Sequence, residues 1–277
     1  MRKNLYLNSY SDILRRDANT LKIGNKKIPI SMIDNVYVIS NAKLSVGALK
    51  LLLKNGRSVF YLNTKYELIG ILTPDRYDSD YKKRLKQYKN AKNLAFAGFI
   101  VLKKIETIEK ILQKNLNRYK EKLKDVKSLN EILGIEGSVS SLFFREFKEN
   151  LEKREIFEFK KREYRPVKDR INGVLSFLYT LYYNYLYSEV IANGLDPYVG
   201  FLHIKRGRHA VFVSDMMEEA RVELTWLLFD FIDEIYPDRF EGLFLDKKGR
   251  KIVLKFFDEF VYRYENTLLK KTKEMLC

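Results

Sequence analysis

The hydrophobic pattern changes period once along the chain, and that change limits the possible folds more than any other feature. Up to residue 73, β-branched and aromatic residues come in short blocks: Leu5-Tyr6-Leu7, Thr20 to Ile23, Lys27 to Ile30 after a Gly24-Asn25 turn, Val36 to Ile39, Val59 to Leu62 and Glu67 to Leu72. Blocks of this length with turn residues between them read as strands. One helix interrupts them, capped by Ser45, apolar through Val46, Leu49, Leu51, Leu52 and Leu53, and stopped by Gly56. From Tyr81 onward apolar positions recur three or four apart, as in Val139, Leu142, Phe143, Phe147 and Leu151, then Val174, Leu178, Leu181 and Tyr185. The expected fold class is α+β: a small β-rich N-terminal domain (1–73), a linker (74–85) opened by Thr73-Pro74-Asp75, and a larger all-helical domain (86–277).

With 277 residues, 46% of them hydrophobic, both parts have enough apolar material for a packed core. The longest apolar run, Ala95 to Leu102, is too short to cross a bilayer. Basic residues at the start are followed by no apolar signal core, and the single cysteine, Cys277, closes no internal disulfide, so the expected location is cytoplasmic. The net charge of +16 is polarised: +8 over residues 1–73, +11 over 81–130 and −1 over 131–277. Such an excess favours a polyanionic partner, and Lys82, Lys83, Arg84 and Lys86 head the most basic stretch. The plainer account is a lysine-rich helix face that is only solvated. Most of the 19 tyrosines and 18 phenylalanines must be core, which leaves few for stacking on nucleotides.

Chemistry is concentrated near Gly200-Phe201-Leu202-His203 and the following Ser214-Asp215-Met216-Met217-Glu218-Glu219-Ala220-Arg221. On a helix starting near Ser214, Asp215 and Glu218 share a face, with Arg221 one turn further. Two carboxylates and an imidazole suit Mg²⁺ or Mn²⁺ better than thiolate-seeking metals, and one cysteine excludes a thiolate-rich zinc site. A third acid, Glu136, lies between Gly134 and Gly137, ahead of the helix of Val139 and Phe143. Each of these has a structural alternative. Asp followed three residues later by Glu is also a capping box, a lone His is often a satisfied interior residue, and Glu136 reads equally as a helix-start acid. His209, among Lys205, Arg206 and Arg208, is a surface or phosphate-facing residue.

The same residues resemble a known family, the larger of the two universal CRISPR adaptation proteins, a metal-dependent endonuclease and integrase of spacer acquisition. Gly134-Ile135-Glu136-Gly137 with Phe143-Phe144 is similar to its G-x-E-G helix, and Arg165-Pro166, Asp169, Asn172 and Leu175-Ser176-Phe177 to its R-P-x-x-D-x-x-N-x-x-L-S-F stretch. Gly194 to His203 resembles its G-L-D-P-x-x-G-F-L-H segment, and Asp215 to Arg221 its D-L-M-E-E-F-R helix. Order and spacing agree along essentially the whole chain. The departures are Val167, Gly173, Ser141, Ala220 and Val222, where Pro, Ala, Arg, Phe and Pro are usual; Arg145 stands near enough to substitute for the arginine missing at Ser141.

The resemblance implies that Glu136, His203 and Glu218 bind a divalent ion, Mg²⁺ or Mn²⁺, beside Asp215 as an essential acid. Asp215 would bind a second ion or accept a proton from the attacking group. Arg145, Arg165, Asn172, Arg206, Arg208 and Arg221 join the basic run as candidate contacts to double-stranded DNA, and the β-rich domain is expected to serve dimerisation and DNA contact. Joining two DNA ends to two target phosphates needs two active sites, so a homodimer is expected. The resemblance adds a small ferredoxin-like adaptation partner. Two rivals stay open: a non-catalytic basic DNA-binding scaffold, and a metal nuclease for RNA or branched DNA without integration activity.

Overall fold

The computed structural model describes residues 3–7, 12–39, 41–63, 68–74, 77–91, 93–163, 165–204, 207, 209–264 and 266–276. The N-terminal region is built from β1 (Lys3–Leu7), β2 (Ile13–Asp17), β3 (Thr20–Ile23), β4 (Lys26–Pro29), β5 (Ile33–Ile39), β6 (Lys43–Leu44), helix α1 (Val46–Lys54), β7 (Val59–Leu62) and β8 (Leu68–Leu72). Two four-stranded sheets form, ordered β1-β5-β7-β8 and β4-β3-β2-β6. In the first, β5 runs parallel to β1 and β7, while β8 returns antiparallel.

Strand alternation in this first sheet decides how the two regions meet. Leu7, Val36, Val38 and Val59 point into a core shared with Leu14, Leu21 and helix α1. Their neighbours Tyr37, Ile39, Phe60 and Leu62 point the other way, into the core of the helical region. Tyr6, Tyr37 and Phe60, opposite one another in register, stack across β1, β5 and β7 with 5.0 Å between successive centroids. Strands β1, β5 and β7 are therefore a common wall covered on both faces, while Ile69 and Leu72 of β8 are exposed.

The helical region follows as α2 (Tyr77–Lys89), α3 (Leu94–Leu112), α4 (Asn117–Lys124), α5 (Leu129–Glu152), α6 (Arg170–Ala192), α7 (Val211–Met216), α8 (Glu218–Leu227), α9 (Ile232–Ile235), a ribbon of β9 (Phe240–Glu241) and β10 (Phe244–Leu245), α10 (Lys247–Arg263) and α11 (Thr267–Leu276). Among the described residues no helix is long and apolar enough to cross a membrane.

Three expectations are corrected. Most of the supposed linker is helix α2, whose polar sequence forms a docked helix because Gln87, fully buried, is bonded to another part of the chain. The helical region also contains the β9–β10 ribbon, so it is not all-helical. The ribbon explains Gly173: a Cβ there would stand 2.2 Å from the Leu243 carbonyl oxygen, so the usual alanine would push the ribbon off α6. Finally, α5 does not start after Ser138. Ser128 caps it ten residues earlier, its hydroxyl accepting from Glu131 N while Glu131 accepts from Lys127 N, and this puts Glu136 inside the helix.

Candidate functional site

Helix α3 packs against both α5 and α8 and gathers the acids. On α5 the buried residues Ile132, Val139, Phe143, Phe147 and Leu151 form one stripe, and Glu136, four after Ile132 and three before Val139, falls on it. Its side chain is 18% exposed, faces α3, and accepts from Ser140 Oγ at 2.7 Å. On α3 the buried stripe runs through Ile100, Ile105 and Ile108 and includes Lys104.

The Lys104 ammonium donates to Glu136 Oε1 and, at 2.7 Å, to Glu218 Oε2. Glu218 is 1% exposed. Its other oxygen, Oε1, lies 3.0 Å from Arg221 Nη1 and 3.9 Å from His203 Nε2, yet it is buried and accepts no hydrogen bond. Burial alone would raise the Glu218 pKa, but Arg221, Lys104 and His203 outweigh it and hold the carboxyl at about 2. Burial would likewise depress the Lys104 ammonium, and Glu218 and Glu136 keep it above the ordinary lysine value instead. The capping alternative fails for Glu218: no side chain caps α8, and this carboxylate is bonded across helices rather than to its own first turn.

Asp215, fully buried on α7, does not cap its helix either. Its Oδ2 accepts from Phe201 N at 2.6 Å and Leu202 N at 3.0 Å, and its Oδ1 from His203 N at 3.0 Å and His203 Nδ1 at 2.7 Å. A carboxylate only accepts, so Nδ1 carries hydrogen and Nε2 is the atom turned toward Glu218. Burial lowers the imidazole pKa, but Asp215 and Glu218 raise it by more. With both oxygens committed to four donors, Asp215 has none left to offer a second ion. Gly200 is required here, since a Cβ would lie 2.6 Å from Asp215 Oδ2. Phe201 stacks on Phe96 of α3 at 4.5 Å, which fixes the loop against the helix that carries Lys104.

The basic residues divide. Lys82 and Lys86 are exposed, whereas Lys83 Nζ and Arg84 Nε donate to the Asn193 and Gly194 carbonyls at the C-terminal end of α6, where a helix leaves acceptors and negative potential. Gln87 completes this clamp by donating to Asp196 O (2.8 Å) and Val199 O (2.7 Å) and accepting from Asp196 N (2.8 Å). Arg145 and Arg165 are exposed, and Arg221 is committed to Glu218. Asn172 is corrected: it is fully buried, donates to Lys161 O and Asp169 Oδ2, accepts from Arg162 Nη1 and Glu163 N, and so has no group for DNA. Arg206 and Arg208 lie outside the described residues.

Sequence reasoning missed Lys104. Its signal was a lysine four residues from Ile100 and four from Ile108, on the buried stripe of helix α3. Among the described residues no three His, Cys, Asp or Glu side chains stand at metal-holding spacing; the two glutamates are bridged by Lys104 instead.

Residues 5–259 match the family described as CRISPR associated protein Cas1. The chain is 28% identical to CRISPR-associated endonuclease Cas1 2 of Thermodesulfovibrio yellowstonii, over 94% of its own length and 86% of the relative's. A Cas1 protein from Thermotoga maritima has the same fold, with TM-score 0.81 and 24% identity over 99% of this chain and 97% of that one. So does a casposase bound to its integration product, at TM-score 0.80 and 20% identity over 99% and 89%. A Cas6-RT-Cas1–Cas2 complex matches at 0.68 and 21% over 100% and 95%. The chain belongs to the Cas1 family of CRISPR-associated proteins.

Proposed function

We propose that this protein is a divalent-metal-dependent DNA endonuclease and integrase that inserts spacer DNA into a CRISPR array by phosphodiester transesterification. One observation carries the reading: Glu136 and Glu218, from two separate helices, meet on a position already held by a cation, the Lys104 ammonium, and His203 Nε2 faces the other Glu218 oxygen at 3.9 Å. Glu218 Oε1, buried without a hydrogen bond, is an acceptor waiting for an electrophile. Two carboxylates and one imidazole nitrogen are the donors that Mg²⁺ or Mn²⁺ takes, so the residues fit the ion.

Glu136, Glu218 and His203 through Nε2 would hold that ion. When bound, it polarises the phosphoryl oxygen and stabilises the leaving alkoxide. Asp215 keeps hydrogen on His203 Nδ1, which leaves the Nε2 lone pair for ligation, and Arg221 keeps Glu218 ionised. The attacking group is a 3′-hydroxyl in integration and water in nicking. Lys82, Lys86, Arg145 and Arg165, all exposed, would contact phosphates and give affinity with little base reading. Two sites are needed for two DNA ends, which supports a homodimer built through the β-rich domain. The fold neighbour solved with Cas2 supports a small adaptation partner, and a cytoplasmic location follows from the proposed substrate.

The test is strand transfer into a supercoiled plasmid carrying a repeat array. Activity should require Mn²⁺ or Mg²⁺, stop in EDTA, and vanish in Glu136→Ala while DNA binding and fold persist. Equal DNA binding in EDTA with no nicking or strand transfer in Mn²⁺ would make the protein a scaffold.

A further inference from the structure

Lys104 is a charged residue at the centre of the site to which the proposed chemistry gives no role. A lysine usually reaches solvent; this one is 8% exposed, on the same buried stripe as Ile100, Ile105 and Ile108, which are 0–1% exposed. Its ammonium is tolerated there because Glu136 of α5 and Glu218 of α8 both accept from it. Those are the carboxylates a divalent ion would need, and an ammonium held on the same pair repels an ion that enters beside it.

We propose, on the metal-site reading above, that Lys104 is a positioning residue that competes with the metal. It holds Glu136 and Glu218 together when no divalent ion is bound, and it withdraws from them when one enters. Without it, two acids on separate helices would face each other across a buried gap and repel. With it, the site is assembled in advance, at a cost in metal affinity. Because α3 is fixed by packing on both α5 and α8, Lys104 stays at the site when its ammonium moves. After withdrawal it stays beside the ion, where the remaining anion for it is a phosphate oxygen of the bound DNA.

The experiment uses Lys104→Met, which keeps the length and apolar stem of the side chain while removing the charge. Mn²⁺ binding is measured by titration calorimetry in the absence of DNA, at the site that Glu136→Ala removes. The variant should bind Mn²⁺ at least tenfold more tightly than the wild type, and its melting temperature should rise more between EDTA and Mn²⁺. Equal or weaker binding by the variant, with wild-type binding intact, overturns the proposal and leaves the metal site standing. No binding by either protein overturns both. If the variant does not fold, wild-type protein labelled at lysine ¹⁵Nζ gives the answer: a protected ammonium signal in EDTA that shifts or disappears in saturating Mg²⁺ supports the proposal, and one that stays unchanged overturns it.

Discussion

Asp215→Asn separates a positioning role for this acid from a direct one. In the wild type the carboxylate accepts three backbone N–H groups and the His203 Nδ1–H from a fully buried position. An asparagine whose carbonyl stays at the Oδ2 position keeps Phe201 N and Leu202 N, but as neutral bonds. Its amide then points two hydrogens at the His203 N–H and at Nδ1. One buried N–H is left without an acceptor, which costs about 1–3 kcal/mol, and two charge-assisted bonds weaken by about 1 kcal/mol each. The expected destabilisation is about 3–5 kcal/mol in urea unfolding. The second consequence concerns the ring: Nδ1 becomes an acceptor, the proton moves to Nε2, and the nitrogen facing Glu218 no longer offers a lone pair. Mn²⁺ affinity should fall about 10–100-fold, and the ring ¹⁵N shifts of His203 should report the exchanged tautomer. A variant within about 0.5 kcal/mol of wild type, with unchanged Mn²⁺ affinity, would refute the reasoning.

Further outcomes follow from the same structure. Gln87→Leu removes three hydrogen bonds and strands Asp196 N and two carbonyls, so the melting temperature should drop by the equivalent of about 2–4 kcal/mol; a neutral result would mean that α2 is not clamped to the loop after α6. The depressed pKa of Glu218 gives stability that is present above the ordinary glutamate value near 4.5 and disappears as pH falls toward about 2. In EDTA the wild type should therefore lose about 3 kcal/mol more than Glu218→Gln across that window; parallel stability curves would contradict the ion-pair assignment. Replacing Lys82 and Lys86 by alanine should leave stability unchanged and lower the salt dependence of DNA binding, equally for all sequences, by roughly one unit of slope for each phosphate that is no longer neutralised. An unchanged slope would make them solvated residues.

The parts of the fold that could be read from the sequence are those where local signals agree with tertiary packing. β3 and β7 coincide with the apolar blocks Thr20 to Ile23 and Val59 to Leu62, and α1 starts at Ser45, whose hydroxyl accepts from Ala48 N at 3.2 Å. β2 was invisible because Leu14 is its one buried residue and Arg15 and Arg16 are exposed. The start of α5 was misplaced because Gly134 and Gly137 read as breaks; a glycine inside a helix costs only about 1 kcal/mol, which packing of the stripe from Ile132 to Leu151 readily offsets. Glu136, His203, Asp215 and Glu218 could be named from motif and resemblance, and the structure brings them within one site. Their mutual arrangement could not be read, because Lys104 lies 32 residues from Glu136 and 114 from Glu218, and only the packing of α3 on α5 and α8 makes it their partner.

The most direct measurement is a crystal structure of the protein soaked with Mn²⁺, with anomalous scattering used to place the metal. The account predicts a peak about 2.0–2.3 Å from oxygens of Glu136 and Glu218 and from His203 Nε2, with the Lys104 ammonium moved off both carboxylates. A peak elsewhere, or none at saturating Mn²⁺ with Lys104 still bridging the two glutamates, would contradict it.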